Sequence, residues 1–83
     1  MVKFELLDRN ETKLLIAKKG FTIRGFSRFI GISHSYLSQI LNTEQQPSAA
    51  TAIKISKGLE KRIEDIFLIK MVDELPLREV NKK

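Results

Sequence analysis

The sequence predicts an all-α domain of five short helices with a brief C-terminal extension. Three observations predict it. Apolar residues recur at helical spacing in five successive segments, capping residues and glycines punctuate those segments, and strand-like character is confined to one short stretch at residues 2–6. With 83 residues, 42% of them apolar, the chain can fill one core and not two.

The first helix is expected over residues 10–19, where Leu14, Leu15, Ile16 and Ala17 sit among polar neighbours, Asn10 caps the start and Gly20 stops the last turn. Thr22 caps a second helix whose Ile23, Phe26, Ser27 and Ile30 share one face, and Gly31 ends it abruptly. Two residues later Ser33 caps a third helix, with Leu37, Ile40 and Leu41 inward and Asn42 at its close. After a polar loop at 43–46, Pro47 and Ser48 suit the start of a fourth helix, which buries Ala52, Ile53, Ile55, Ser56 and Leu59 and ends near Gly58. The fifth is expected over 62–72. Its Ile63, Ile66, Phe67 and Ile69 point inward, and Glu64 and Asp65 lie in the first turn, where the helix dipole favours acids. Pro76 prevents a smooth continuation, so residues 1–72 form the domain and 73–83 an extension. Phe29, on the flank of the second helix, is expected to make a satellite contact with the core. The apolar series Leu68, Met71, Val72, Leu75 and Leu77 exceeds what five helices need, and is expected to pack on the domain or to form a two-fold interface.

Composition removes several classes of function. Cysteine is absent and histidine occurs once, which excludes disulfides, thiol nucleophiles and zinc sites of the usual types. Neither a P-loop nor a paired acid and base is present, so no enzyme activity and no cofactor are expected. Apolar runs stop at four residues, too short for a membrane span or a secretory signal, and a cytoplasmic location follows as the expectation.

The net charge of +5 is unevenly placed. Between residues 12 and 57 seven lysines and arginines face a single acid, Glu44, whereas the flanking segments are close to neutral. A positive field concentrated on one stretch is the electrostatic footprint of a phosphate-binding protein.

Two short helices joined by a glycine turn define a helix-turn-helix, in which the first helix braces the second, and here it spans about residues 22–42. Ser27 is small where the helices cross, Gly31 supplies the positive φ of the turn, and Phe26, Ile32, Leu37 and Ile40 fill the wedge. His34, Ser35, Ser38, Gln39 and Asn42 are left on the outer side of the third helix.

At these residues the segment from 22 to 67 resembles the Cro and lambda-repressor type helix-turn-helix family, often called XRE. The stretch TIRGFSRFIGISHSYLSQILN looks like its scanning helix, turn and recognition helix, and QQPSAATAIKISKGLEKRIEDIF is similar to its fourth and fifth helices. The resemblance implies a five-helix lambda-repressor-like fold. It also implies a sequence-specific DNA-binding transcription regulator, a repressor of phage or mobile-element type, commonly a dimer on a palindromic operator. Departures are visible. Ile23 stands where the family has a phosphate-binding glutamine, with Arg24 beside it as a substitute. Ile16 and Leu41 stand where members often pair an arginine with a glutamate, and the two are expected to touch. Thr43 and Glu60 stand where glycines often follow the third and fourth helices.

On this reading His34, Ser35, Ser38 and Gln39 read base edges. Gln39 suits adenine, His34 a purine edge, and the serines either base type. Thr22, Arg24, Ser33, Tyr36, Asn42, Thr43 and Gln46, near helix starts and in the following loop, are the expected phosphate contacts, with capping as a further role for Thr22 and Ser33. Lys18, Lys19, Lys54 and Lys57 raise non-specific affinity. The alternative reading is a protein-interaction module of the same fold, an antitoxin or antirepressor with a regulatory protein partner. RNA binding is a third.

Overall fold

The computed structural model describes residues 2–71. The order of elements is β1 (Val2–Leu6), α1 (Arg9–Lys18), α2 (Ile23–Ile30), α3 (His34–Asn42), α4 (Ala49–Gly58), α5 (Ile63–Ile66) and β2 (Phe67–Met71). The fold is thus predominantly helical, with five helices, and a two-stranded sheet is added to them.

The middle of the chain folds as its local signals dictate. Thr22, Ser33 and Ser48 each have extended backbone and accept a hydrogen bond from the amide three residues on, which caps α2, α3 and α4. Asp8 does the same for α1 by accepting from the Glu11 amide at 3.0 Å, so the cap lies two residues before the expected Asn10. The difference is small physically, because Asp and Asn cap comparably and only tertiary contacts choose between them.

The fifth helix differs more. It ends at Ile66 rather than reaching residue 72, and Phe67–Met71 continues as a strand antiparallel to β1, in the register Phe4↔Ile69 and Leu6↔Phe67. Phe67, Ile69 and Met71 alternate to one face, with Leu6, Phe4 and Val2 opposite them, so six apolar side chains line one side of the ribbon. Its inner end joins the core, where Phe4 and Phe67 meet edge to face at 6.3 Å.

One cluster forms the core. Ile16, Phe26, Leu37, Ile40, Leu41 and Ile55 are each no more than 1% exposed, and Phe4, Ala52, Leu59, Ile66 and Phe67 complete it. Ile53, expected inside, is 45% exposed. The buried side of α4 is formed by Thr51, Ala52, Ile55 and Ser56, with Leu59 at its C-cap, and Ile53 falls outside it. Gly58 allows α4 to approach α2 closely. A Cβ there would lie 2.7 Å from Ile30 Cγ2 and 2.9 Å from Phe26 Cζ, so α2 and α4 pack across a bare backbone.

Candidate nucleic-acid interface

The turn between α2 and α3 is built by Ser27 and Gly31. Gly31 adopts the left-handed conformation, with φ 83°, and the amides of Gly31 and Ile32 both donate to the Ser27 carbonyl at 2.9 Å. Ser27 is itself 3% exposed, and its hydroxyl donates to the Arg24 carbonyl at 2.7 Å. A larger side chain at this buried crossing would separate the two helices.

With the turn fixed, α3 buries Leu37, Ile40 and Leu41 and turns its polar side outward. Ser35, Ser38, Gln39 and Asn42 follow the i, i+3, i+4, i+7 spacing of a single stripe, and His34 stands at its margin. Ser35 and Gln39 are exposed, while His34 and Ser38 are half-buried. Among the described residues the side chains of His34, Ser35 and Gln39 have no hydrogen-bond partner within the chain, so their donors and acceptors face outward unspent. Ser38 is different, because Asn42 Nδ2 donates to both its carbonyl and its Oγ, at 2.9 and 3.3 Å.

Several of the residues expected at phosphates already have partners. Lys13 Nζ donates to Asn42 Oδ1 at 2.6 Å, so α1 holds the end of the stripe through Asn42. The Thr43 hydroxyl donates to the Gln39 carbonyl at 2.6 Å and accepts from the Gln45 amide, which closes α3. Gln46 turns toward β1, where its Nε2 donates to Glu5 Oε2 at 3.0 Å. Tyr36, half-buried, accepts the Ser48 amide on its hydroxyl at 3.3 Å. The Thr22 and Ser33 hydroxyls cap their helices and keep a proton to give. Arg24 is exposed in the first turn of α2, beside the half-buried Ile23.

Charge is arranged with the same economy. Arg9 pairs with Glu44 at 3.1 Å, Lys19 with Glu60 at 2.6 Å and Lys70 with Glu5 at 3.4 Å. Arg24 and Arg28 of α2 and Lys54 and Lys57 of α4 have no acid partner among the described residues, and neither do Lys13 and Lys18 of α1, so the uncompensated charge is shared by α1, α2 and α4.

The Lys13–Asn42–Ser38 relay was invisible to sequence reasoning. Lys13 and Asn42 are 29 positions apart, and a lysine on an amphipathic helix gives no local sign of its partner. No group of His, Cys, Asp or Glu among the described residues is placed to hold a metal ion, and no helix there is long and apolar enough to cross a membrane.

A capped brace helix, a left-handed glycine turn and a second helix with an outward polar stripe define a helix-turn-helix DNA-binding domain. A family model described as helix-turn-helix matches residues 13–66, well over half the chain, and the protein belongs to this XRE-type helix-turn-helix family. Neither a curated protein nor a solved structure matches the chain.

Proposed function

We propose that this DNA-binding domain is a sequence-specific transcription regulator that places α3 in the major groove and acts as a repressor by occupancy, without catalysis. The carrying observation is the outward stripe of Ser35 and Gln39, flanked by His34 and by Ser38 held on Asn42, with free hydrogen-bonding capacity on a helix that the core fixes. Gln39 matches adenine's paired donor and acceptor, and the serine hydroxyls and the imidazole suit other edges. Arg24 and the capped starts of α2 and α3 supply the phosphate contacts, with Thr22, Ser33 and Tyr36 nearby. Such a protein works in the cytoplasm of a bacterial or phage-infected cell.

The regulator works as a homodimer joined through the ribbon. Val2, Ile69 and Met71 share the face of Phe4 and Phe67 but lie beyond the helices, at 45%, 45% and 81% exposure. A second copy covers that strip and sets two α3 helices about 34 Å apart, one duplex turn. Leu68 belongs to the other face of the ribbon, and Val72, Leu75 and Leu77 lie outside the described residues.

Selection of bound fragments from random DNA, followed by footprinting of the winner at two salt concentrations, tests the reading. A recurrent palindrome whose protection weakens steeply with salt is expected. Failure of any sequence to enrich would overturn it.

A further inference from the structure

A second surface lies on α2, away from the turn. Phe29 is 63% exposed, and it follows Ser27 by two positions, which turns it to roughly the opposite side of α2 from the residue braced at the α3 crossing. It is not loose. Its ring lies 4.9 Å from that of Phe21, tilted by 31°, and 6.4 Å from that of the fully buried Phe26, so a backing of aromatic groups holds it in place.

Beside it runs a shallow, mostly apolar groove lined by Phe29 and Ile30 of α2 and by Lys54, Lys57 and Gly58 of α4. Gly58 makes the floor, because the two helices touch there with no side chain between them. Ile53, one turn before Lys57 and 45% exposed, lengthens the apolar strip along α4. Neither lysine has an acid partner among the described residues.

We propose that this groove docks a short acidic and apolar segment of a partner protein, with an aliphatic or aromatic side chain against Phe29 over Gly58 and carboxylates against Lys54 and Lys57. The charge fixes the sign of the partner, and the apolar lining of Phe29 and Ile30 fixes its apolar part. A nucleic-acid backbone satisfies the lysines but leaves Phe29 and Ile30 wet, whereas an acidic amphipathic segment satisfies both. Because Phe29 faces away from the α3 crossing, the partner binds whether or not α3 is occupied, and the proposal stands independently of what α3 reads.

Panning a random-peptide display library against the full chain, with synthesised winners titrated by fluorescence anisotropy, tests this. Enriched peptides combining Asp or Glu with large apolar residues are expected, and their affinity falls about tenfold or more on Phe29→Ser and on the pair Lys54→Glu, Lys57→Glu. Thermal melts check that the variants remain folded. Inverting the peptide's acids to lysines restores binding to the charge-reversed chain, which a merely structural effect of the substitutions would not do. Winners without acidic residues, or winners that bind native and variant chains alike, overturn the proposal. So does protection of Lys54 and Lys57 from acylation by duplex DNA when no peptide protects them, an outcome that assigns the groove to phosphates.

Discussion

The Glu60 carboxylate accepts a hydrogen bond from Lys19 Nζ at 2.6 Å while its own backbone sits in the left-handed region, at φ 58°. It is the one non-glycine residue with positive φ among the described residues, and it occupies the turn after α4 where a glycine would be unstrained. The residue therefore joins the end of α4 to the end of α1 at a cost in backbone strain. Thr43, the other position where the family favours glycine, is extended at φ −134° and needs no such freedom.

That pair makes stability depend on pH. The hydrogen bond and charge of Lys19 hold the Glu60 carboxyl below the ordinary glutamate range, so the folded chain binds its proton less readily than the unfolded one. The contribution is fully present above the unfolded value, about 4.3, and is lost as pH falls through the lower folded value. In urea melts at low salt, Glu60→Gln is expected to lower the midpoint at pH 6 and to leave it unchanged at pH 2. At the acid limit Glu60→Gly should melt above the native chain, because only the backbone term remains. Parallel pH profiles for the native and Gln chains would refute the assignment.

Gly58→Ala tests the α2–α4 contact. Alanine favours helix by ~0.5–1 kcal/mol over glycine, but the new methyl meets Ile30 Cγ2 and the buried Phe26 ring below contact distance. Overpacking of that kind costs about 1–3 kcal/mol, so a net loss is expected in denaturant unfolding. A gain in stability would mean that the helices part more easily than the geometry indicates.

Ile16 and Leu41 are both buried in the one core, at 1% and 0% exposure, on helices that pack together. Ile16→Arg alone strands a charge there and is expected to cost about 3–5 kcal/mol. Adding Leu41→Glu should recover part of that loss, as a double-mutant cycle would measure, since it recreates the ion pair that other members of the family use. Strictly additive losses would show that the two positions do not communicate.

Gln39 and Arg24 should fail differently in DNA binding. Gln39→Ala is expected to cost ~1–3 kcal/mol at a single base pair of the selected site and little elsewhere. Arg24→Ala weakens all sequences alike and lowers the salt dependence by about one phosphate. Competition binding against single-base variants of the site distinguishes the two patterns.

For the ribbon, Met71→Glu and Ile69→Lys are expected to yield monomers in sedimentation velocity while leaving the helical circular dichroism intact. Phe67→Ala, at the buried end, instead lowers stability by about 3–5 kcal/mol. A native chain that sediments as a monomer at all accessible concentrations would remove the two-fold interface.

Much of the fold was legible because its signals are local. Thr22, Ser33 and Ser48 announce three helix starts, Gly31 announces the turn, and the apolar spacing of α3 leaves only one side for a polar stripe. The fifth helix misled for a physical reason. Ile63, Ile66, Phe67 and Ile69 fit a helical face, yet Phe67, Ile69 and Met71 fit a strand equally well, and what decides is β1, more than sixty positions earlier. Phe29 makes its expected satellite contact with the core, through Phe26, but lies open to solvent, since spacing tells which side of a helix a residue takes and not whether anything covers it. The outward polar side of α3 was legible by elimination, and the ties from Lys13 to Asn42 and from Gln46 to Glu5 were not, because each joins elements that only the finished fold brings together.

The two strands lie on either side of all five helices in the chain, so their pairing closes a loop of roughly sixty residues. Chain entropy resists such a closure until the intervening segments have condensed, and a two-stranded ribbon has little cohesion of its own. The helices are accordingly expected to assemble first and the ribbon to zip last and open earliest, an order that hydrogen exchange of the strand amides would check. The association surface proposed for the ribbon would therefore form only on a finished domain, which would keep misfolded chains from pairing with sound ones.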